Sequence, residues 1–175
     1  MRTLRGSLGV VRAALLFFAV ASVDGCGLIS FDTTVNISPH VVPGNAAAAD
    51  LPSSTVAMIE VPLDSSNLPS NADLAQSAKL KTLTLQVTAP ADGTFDFLSA
   101  LTLVISAPAP TGLPDREIAA GTPIAGAKQV TLTPIGDVDL LPYVNAGATV
   151  RAIGTGRPPT VDTTVAGQAV LTVSL

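Results

Sequence analysis

From residue 31 onward the chain alternates. "FDTTVNIS" (31–38) places Phe31, Thr33, Val35 and Ile37 on one face and Asp32, Thr34 and Asn36 on the other. That period of two is what a strand with one wet face requires. "KLKTLTLQVTA" (79–89) repeats it, with Leu83, Leu85 and Val87 set against Thr82, Thr84 and Gln86. "TVAMIEVPL" (55–63) is apolar on both faces, and its Pro62, lacking an N–H for the ladder, predicts that its far end lies at a sheet edge. Four more runs follow: "FLSALTLVISA" (97–107), "AKQVTLTP" (127–134), "GATVRAIGT" (147–155) and "TTVAGQAVLTVSL" (163–175). In the last, Val165, Gly167, Ala169, Leu171, Val173 and Leu175 share a face, which predicts a strand inside a sheet rather than a loose tail.

Turn and cap signals punctuate these runs. "APADGTF" (89–95) carries an Asp-Gly pair that favours a hairpin or a tight loop. "SNADLAQSAK" (70–79) opens with Ser70 and has Asp73 three residues on, a start resembling a capping box. "DLLPYVNAG" (139–147) offers Asp139 as N-cap, Pro142 within the first turn and Gly147 as a stop. Each predicts two helical turns at most, and "VVPGNAAAADLPSS" (41–54) reads as a long loop. Seven strands with no helix long enough for a crossover predict an all-β fold, a two-sheet antiparallel β-sandwich with one or two short helices in its connections. Leu83, Leu85, Val87, Leu101, Leu103, Val130, Leu132, Leu171 and Val173 are its expected core. No fixed-period repeat stands out, which argues against a propeller or solenoid.

The N-terminus reads differently. Its first twelve residues hold Arg2, Arg5, Arg12 and no acid, and Ala13–Val23 follow with Ser22 as the only polar member. A basic segment before an apolar run of this length is the pattern of a secretory signal peptide. Eleven helical residues reach only about 16 Å against a hydrocarbon core of about 30 Å, and Arg12 and Asp24 block extension, so no membrane span is expected. Two cleavage sites compete. "AVA" (19–21) has the small-x-small form and would leave Ser22 as the mature N-terminus. "VDGC" (23–26) resembles the lipobox of bacterial lipoproteins: Val23, Gly25 and Cys26 match it, and Asp24 departs from it. The resemblance implies that Cys26 is lipidated on sulfur and acylated on its new amino group. Cys26 is also the only cysteine, and an unpaired thiol in an exported protein needs an explanation that lipidation supplies. The expected organisation is a signal peptide over 1–25, a short lipid-anchored tether over 26–30 and one β-sandwich domain over 31–175.

Cleavage before Cys26 leaves six basic and twelve acidic residues, a balance of −6, which argues against nucleic acid and anionic lipid as partners because both need a basic patch. The segments "DFLSALTLVISA", "GLPDREIA", "DVDLLPYVNAG" and "GRPPTVDTTVAGQAVLTV" lie within Leu74–Leu175, about two thirds of the mature chain. This stretch resembles lipid-anchored, immunoglobulin-like β-sandwich proteins encoded by Gram-negative bacteria, myxobacteria among them. The resemblance implies an immunoglobulin-like fold and a cell-envelope address, and it supplies no activity.

Candidate chemistry is sparse. The single histidine, His40, sits in "SPHVVPG", read as a loop, and no Gly-x-Ser-x-Gly elbow exists, so nucleophilic catalysis is not expected. Zinc would need several His or Cys ligands, and the chain has only one of each. For calcium, "ADGTFDF" offers Asp92 and Asp96, and "GDVDL" offers Asp137 and Asp139, neither with the spacing of a known calcium loop. The plainer roles are a turn at Asp92, a helix cap at Asp139, and solvated carboxylates at Asp96 and Asp137. A sugar-cleaving cleft is disfavoured by the absence of Trp and the single Tyr. That Tyr143 reads as a core ring with its hydroxyl tied to backbone. "TGRPPTVDTT" reads as a rigid loop with an Arg157–Asp162 surface ion pair, or as a partner-binding tip. The expected function is a lipid-anchored structural or interaction domain of the cell envelope, most naturally at the outer membrane. It would have no cofactor, be held to the membrane through Cys26, and face an envelope protein or polysaccharide. The alternative is a soluble periplasmic or surface ligand-binding or adhesion domain of the same fold. A tether of five residues would keep the domain near the headgroups and put its working loops at the end far from Phe31.

Overall fold

The computed structural model describes residues 29–63 and 75–175. The signal peptide, Cys26 and the first half of the predicted 70–79 helix lie outside the described residues. The described residues form eight strands where about seven were expected: β1 (Ser30–Val42), β2 (Ser54–Pro62), β3 (Ser77–Ala89), β4 (Leu98–Ser106), β5 (Arg116–Gly121), β6 (Gln129–Pro134), β7 (Thr149–Gly156) and β8 (Thr163–Ser174). A five-residue helix, α1 (Leu141–Asn145), and a 3-10 turn at Ala48–Asp50 complete the regular elements.

Every pairing is antiparallel, and the pairings nest. β1 pairs with β8, β2 with β7, β3 with β6 and β4 with β5, while β3–β8, β4–β7 and a short β5–β6 ladder join the pairs. The result is one curled sheet in the order β1-β8-β3-β6-β5-β4-β7-β2. Folding a long hairpin back on itself gives this connectivity, that of a jelly roll. It differs from the immunoglobulin order, in which the second strand lies beside the first. The β5–β6 ladder is only two residue pairs long, Ala119↔Pro134 and Ala120↔Thr133, so the sheet turns sharply there. Among the described strands, β1 and β2 stand at the two ends of this order.

The alternation translates directly into burial. Leu83, Leu85 and Val87 are buried while Lys81, Gln86 and Thr88 are exposed, and all nine expected core residues fall in one cluster that draws on every strand. β8 lies between β1 and β3, as its unbroken apolar face predicted.

Three bulges account for the runs that broke the pattern. Ala57 faces Ile153 and Ile59 faces Ala152, so Met58 is an extra residue and Met58 and Ile59 are buried side by side. On β5, Ile118 is extra between Glu117 and Ala119, and again two consecutive side chains turn inward. In β1, Ser38 and Pro39 oppose the single residue Ala166. The ladder resumes at His40↔Val165, so His40 is an exposed strand residue rather than part of a loop. A bulge is one of the few places where a strand tolerates proline.

One further expectation needs correction, and one open alternative is decided. Ser77–Lys79, assigned to a helix from sequence, are the first residues of β3 and pair with β8 at Ser77↔Ser174 and Ala78↔Val173. The Asp-Gly turn closes a tight loop, with Gly93 N–H donating to the Pro90 carbonyl at 2.9 Å, and it is not a hairpin because β3 and β4 are not sheet neighbours.

Candidate functional site

Nested connectivity sorts the connections to two ends. Four loops meet at one end, β1–β2, β3–β4, β5–β6 and β7–β8, and this is the far end from Phe31. The β4–β5 and β6–β7 connections gather at the other, beside Ile29 and Leu175, whose backbones bond at 2.8 Å.

The far-end loops are tied to one another. Asp162 Oδ1 accepts from Gly44 N–H at 2.8 Å, and Asn45 N–H donates to the Pro159 carbonyl at 2.7 Å. Arg157 Nη1 donates to the Ala49 carbonyl at 2.8 Å, and the Arg157 N–H donates to the Phe97 carbonyl at 2.8 Å. Asp96 Oδ1 accepts from Gly126 N–H at 2.6 Å, while its Oδ2 accepts from Thr94 Oγ1 at 2.9 Å. Lys128 Nζ donates to the Ala91 carbonyl. Arg157 and Asp162 therefore do not form the expected ion pair with each other; each clamps the β1–β2 loop. Gly44 is needed for that clamp. A Cβ there would stand 2.2 Å from the Val161 carbonyl carbon and 2.5 Å from Asp162 N, backbone atoms that cannot swing aside.

Beneath the clamp Phe95 is fully buried, and its ring stacks on that of half-buried Phe97 at 6.2 Å between centroids. Between the loops lies an open groove of about 400 Å³ bordered by Ala49, Asp92, Thr94, Asp96, Arg157 and Thr160. Its rim carries both signs of charge and several hydroxyls, chemistry suited to a polar ligand.

The near end is built more tightly. The N-cap of α1 is Leu140 and not Asp139 as expected, because the helix starts only at Leu141. From one residue further out, Asp139 Oδ1 accepts from Leu141 N–H at 3.0 Å, satisfying one donor of the first turn, and from Ala78 N–H at 2.9 Å, which docks the helix on β3. Pro142 falls in the first turn as expected. Gly147, at φ +67°, ends the helix: its N–H donates to Val144 O at 3.0 Å and the Ala148 N–H to Tyr143 O at 3.0 Å, the paired bonds of a Schellman stop. Tyr143 is 4% exposed and donates its hydroxyl to the Pro114 carbonyl at 2.8 Å. The expected tied hydroxyl is present, anchored to the β4–β5 connection.

The four calcium candidates divide between the ends, Asp92 and Asp96 far, Asp137 and Asp139 near. Asp92 lies in the Pro90–Gly93 turn, and Asp137, expected to be solvated, pairs with Lys79 at 2.8 Å. Among the described residues no group of three or more His, Cys, Asp or Glu side chains comes together to hold a metal. No described helix is long and apolar enough to cross a membrane.

Sequence reasoning missed the interloop ties of Asp96 and Gly44. The nearest signal was compositional, a Pro-Gly pair at 43–44 and a Pro-Pro pair at 158–159. It also missed an apolar cavity of about 70 Å³ inside the curl, lined by β1 (Val35, Ile37), β2 (Ile59, Val61), β8 (Ala169, Leu171) and their neighbours.

No family model matches this chain, and no curated protein does. Among solved structures it is similar to the decameric BFDV capsid protein (10% identity, 83% of this chain and 98% of that chain covered, TM-score 0.45). It is also similar to turnip yellow mosaic virus (14% identity, 94% and 91% covered, TM-score 0.30). A third likeness is to an exo-beta-1,3-galactanase from Phanerochaete chrysosporium (11% identity, 85% and 30% covered, TM-score 0.28). At these scores the likenesses bear on neither activity nor assembly.

Proposed function

We propose that this chain is a non-enzymatic, lipid-anchored module of a Gram-negative cell envelope, related to the lipoproteins of myxobacterial type that its sequence resembles. It is held by Cys26 at the outer membrane and presents its four-loop end to an envelope protein or polysaccharide. The observation that carries this reading is the polarity of the fold. The chain enters β1 at Ser30, only four residues after Cys26, and the clamped loops lie at the other end of a 13-residue strand. At about 3.3 Å per residue that strand separates tether from loops by about 40 Å. Ser30 belongs to β1 and Ile29 is bonded to Leu175, so the fold begins within the segment 26–30 expected as a tether. The finer architecture in this proposal is a sandwich of two facing four-stranded sheets, supported by the single core to which all eight strands contribute.

One acyl chain binds a membrane marginally and two hold it stably. Cys26→Ala is therefore expected to move the protein from the membrane fraction to the soluble fraction, or to leave the precursor uncleaved. Intact-mass analysis of the wild-type protein is expected to show an acylated Cys26 as the first residue. A mature chain beginning at Ser22 with a free thiol would replace this reading with that of a soluble periplasmic domain.

A further inference from the structure

The near end also carries an open groove, of about 710 Å³, between the β4–β5 and β6–β7 connections. Leu113, Pro114, Ile135 and Val138 give it an apolar side, and exposed Arg116 and Glu117 stand on its rim. Its walls are already fixed: the Tyr143 hydroxyl holds the Pro114 carbonyl, and Asp139 ties the other connection to β3. Asp137 at the rim is paired with Lys79, and Asp115 lies 3.8 Å from Arg151. Among the described residues the side chains of Arg116 and Glu117 have no such partner.

The chain's path says which surface this groove faces. Cys26 precedes Ile29 by three residues, at most about 11 Å of chain. Ser30, Ser174 and Ser77 pair in one row across β1, β8 and β3, a span of about 10 Å. Ala78, the next residue of β3, is bonded to Asp139 on the border of the groove. An anchor at Cys26 therefore enters its bilayer beside the groove, whereas the far-end loops stand about 40 Å off. The exposed side chains agree with that placement. At this end Ile29 is 69% exposed and Ile135 41%, and residues 107–114 of the β4–β5 connection carry no charge.

We propose that this groove takes the headgroup of a zwitterionic phospholipid bearing a primary ammonium, so that the domain lies with its near end on the bilayer that holds its anchor. The proposal rests on the lipid-anchor reading. Arg116 pairs with the phosphate and Glu117 with the ammonium, while Leu113 and Ile135 meet the glycerol and the first acyl carbons. A quaternary ammonium calls for an aromatic cage, and the one ring bordering this groove, Tyr143, is only 4% exposed. An anionic headgroup would meet Asp115, Glu117 and Asp137 on the same rim, and like charges repel within a Debye length of about 8 Å. Each exposed contact is weak by itself, but the anchor supplies an effective concentration on the order of mM.

The test couples the mature chain, unacylated, through Cys26 to maleimide-bearing lipid in vesicles with brominated acyl chains. Cys26 is the only cysteine, and the chain has no Trp, so Ile135→Trp places a single indole at the groove and Ile124→Trp one at the far end. In vesicles of phosphatidylethanolamine and phosphatidylcholine the first indole is expected to be quenched and blue-shifted, and the second to be unaffected. Arg116→Gln and Glu117→Gln, at exposed positions that leave the melting temperature unchanged, are each expected to shift the contact equilibrium about two- to fivefold toward the free domain. Equal quenching at the two positions, or quenching of Ile135→Trp that neither charge variant lowers, would overturn the proposal. So would equal or stronger quenching in phosphatidylcholine alone or with phosphatidylglycerol added, because the contact would then be apolar insertion or a site for anionic lipid. Coupling fixes the anchor whatever the cell does at Cys26. A negative result therefore counts against the groove and leaves acylation to the intact-mass analysis.

Discussion

The two ends of the molecule are secured by the same kind of bond in different surroundings. At the near end Asp139 and Tyr143 fix backbone groups of distant segments from partly buried positions. At the far end Asp162, Arg157 and Asp96 do so from exposed ones. A hydrogen bond broken in a dry place leaves its partner unsatisfied, whereas one broken in water is replaced by water. The near end therefore holds the fold together, and the far end holds a surface in shape. Loops that are ordered and yet cheap to change are where binding function accumulates on a rigid scaffold.

The shared core calibrates this contrast and gives the largest expected effect. Leu85 is fully buried in the central strand β3, while Thr84 beside it points to the wetter face. Leu85→Ala is expected to cost about 2–5 kcal/mol in chemical denaturation, and Thr84→Ala well under about 1 kcal/mol. Equal losses would mean that the two faces of β3 are misassigned, and with them the inside of the curl.

Asp139→Ala comes next. It strips the acceptor from both Leu141 N–H and Ala78 N–H, so the near end should lose about 1–3 kcal/mol and α1 should undock from β3. Amide exchange at Ala78 and Leu141 would rise sharply while Gly44 and Gly126 stay protected. If the far-end amides were released together with these, the two ends would be a single cooperative unit and the comparison would fail.

How legible was this in the sequence? Where one face of a strand is buried without interruption, as in β3 and β8, alternation identifies the strand, its face and its core residues. It fails where a bulge turns two neighbours inward. "REIAAG" contains Ile118 and Ala119 packed consecutively, so β5 has no period of two and was not recognised. Alternation also carries nothing about which strand lies beside which. The first strand pairs with the last and the second with the seventh, contacts whose partners are often more than a hundred residues apart. The local signals at Pro142 and Gly147 were readable because a helix end is a nearest-neighbour matter, whereas the N-cap fell on Leu140, one residue after the expected Asp139. The clamp was not, because Gly44 and Asp162 are 118 residues apart and meet only after the whole curl has closed. The same distance hid the fate of Arg157, for which sequence proximity suggested Asp162 as a partner.

The far-end clamp should respond locally. Asp162→Ala and Arg157→Ala each remove one exposed bond and are expected to lower stability by about 0.5 kcal/mol, near the low end for a hydrogen bond. The Gly44 amide would exchange faster in Asp162→Ala with little change elsewhere. Gly44→Ala should displace the β1–β2 loop more completely, since its methyl meets fixed backbone, and so open the groove bordered by Ala49. A loss at Asp162→Ala as large as that at Asp139→Ala would show that exposure is not what separates the ends.

The smallest effect separates burial from position. Asp32 lies in the near-end half of β1, yet its side chain is 45% exposed. Hydrogen bonds from Lys81 Nζ and then Thr172 Oγ1 hold its carboxyl below the ordinary carboxylate value. A carboxyl depressed by folding contributes stability above its unfolded pKa of about 3.9 and loses it as the pH falls through the folded value. The gap in stability between the wild type and Asp32→Asn should therefore be present at pH 7 and begin to close below about pH 4. Because the pair is exposed, the gap should be only about 0.2–1 kcal/mol, shrinking further in 1 M salt, where the Debye length is about 3 Å. If burial governs the strength of these ties, Asp32 at the near end will behave like Asp162 at the far end. A gap as large as that at Asp139, or one that persists unchanged at pH 2, would mean that position along the sheet counts for more than exposure to water.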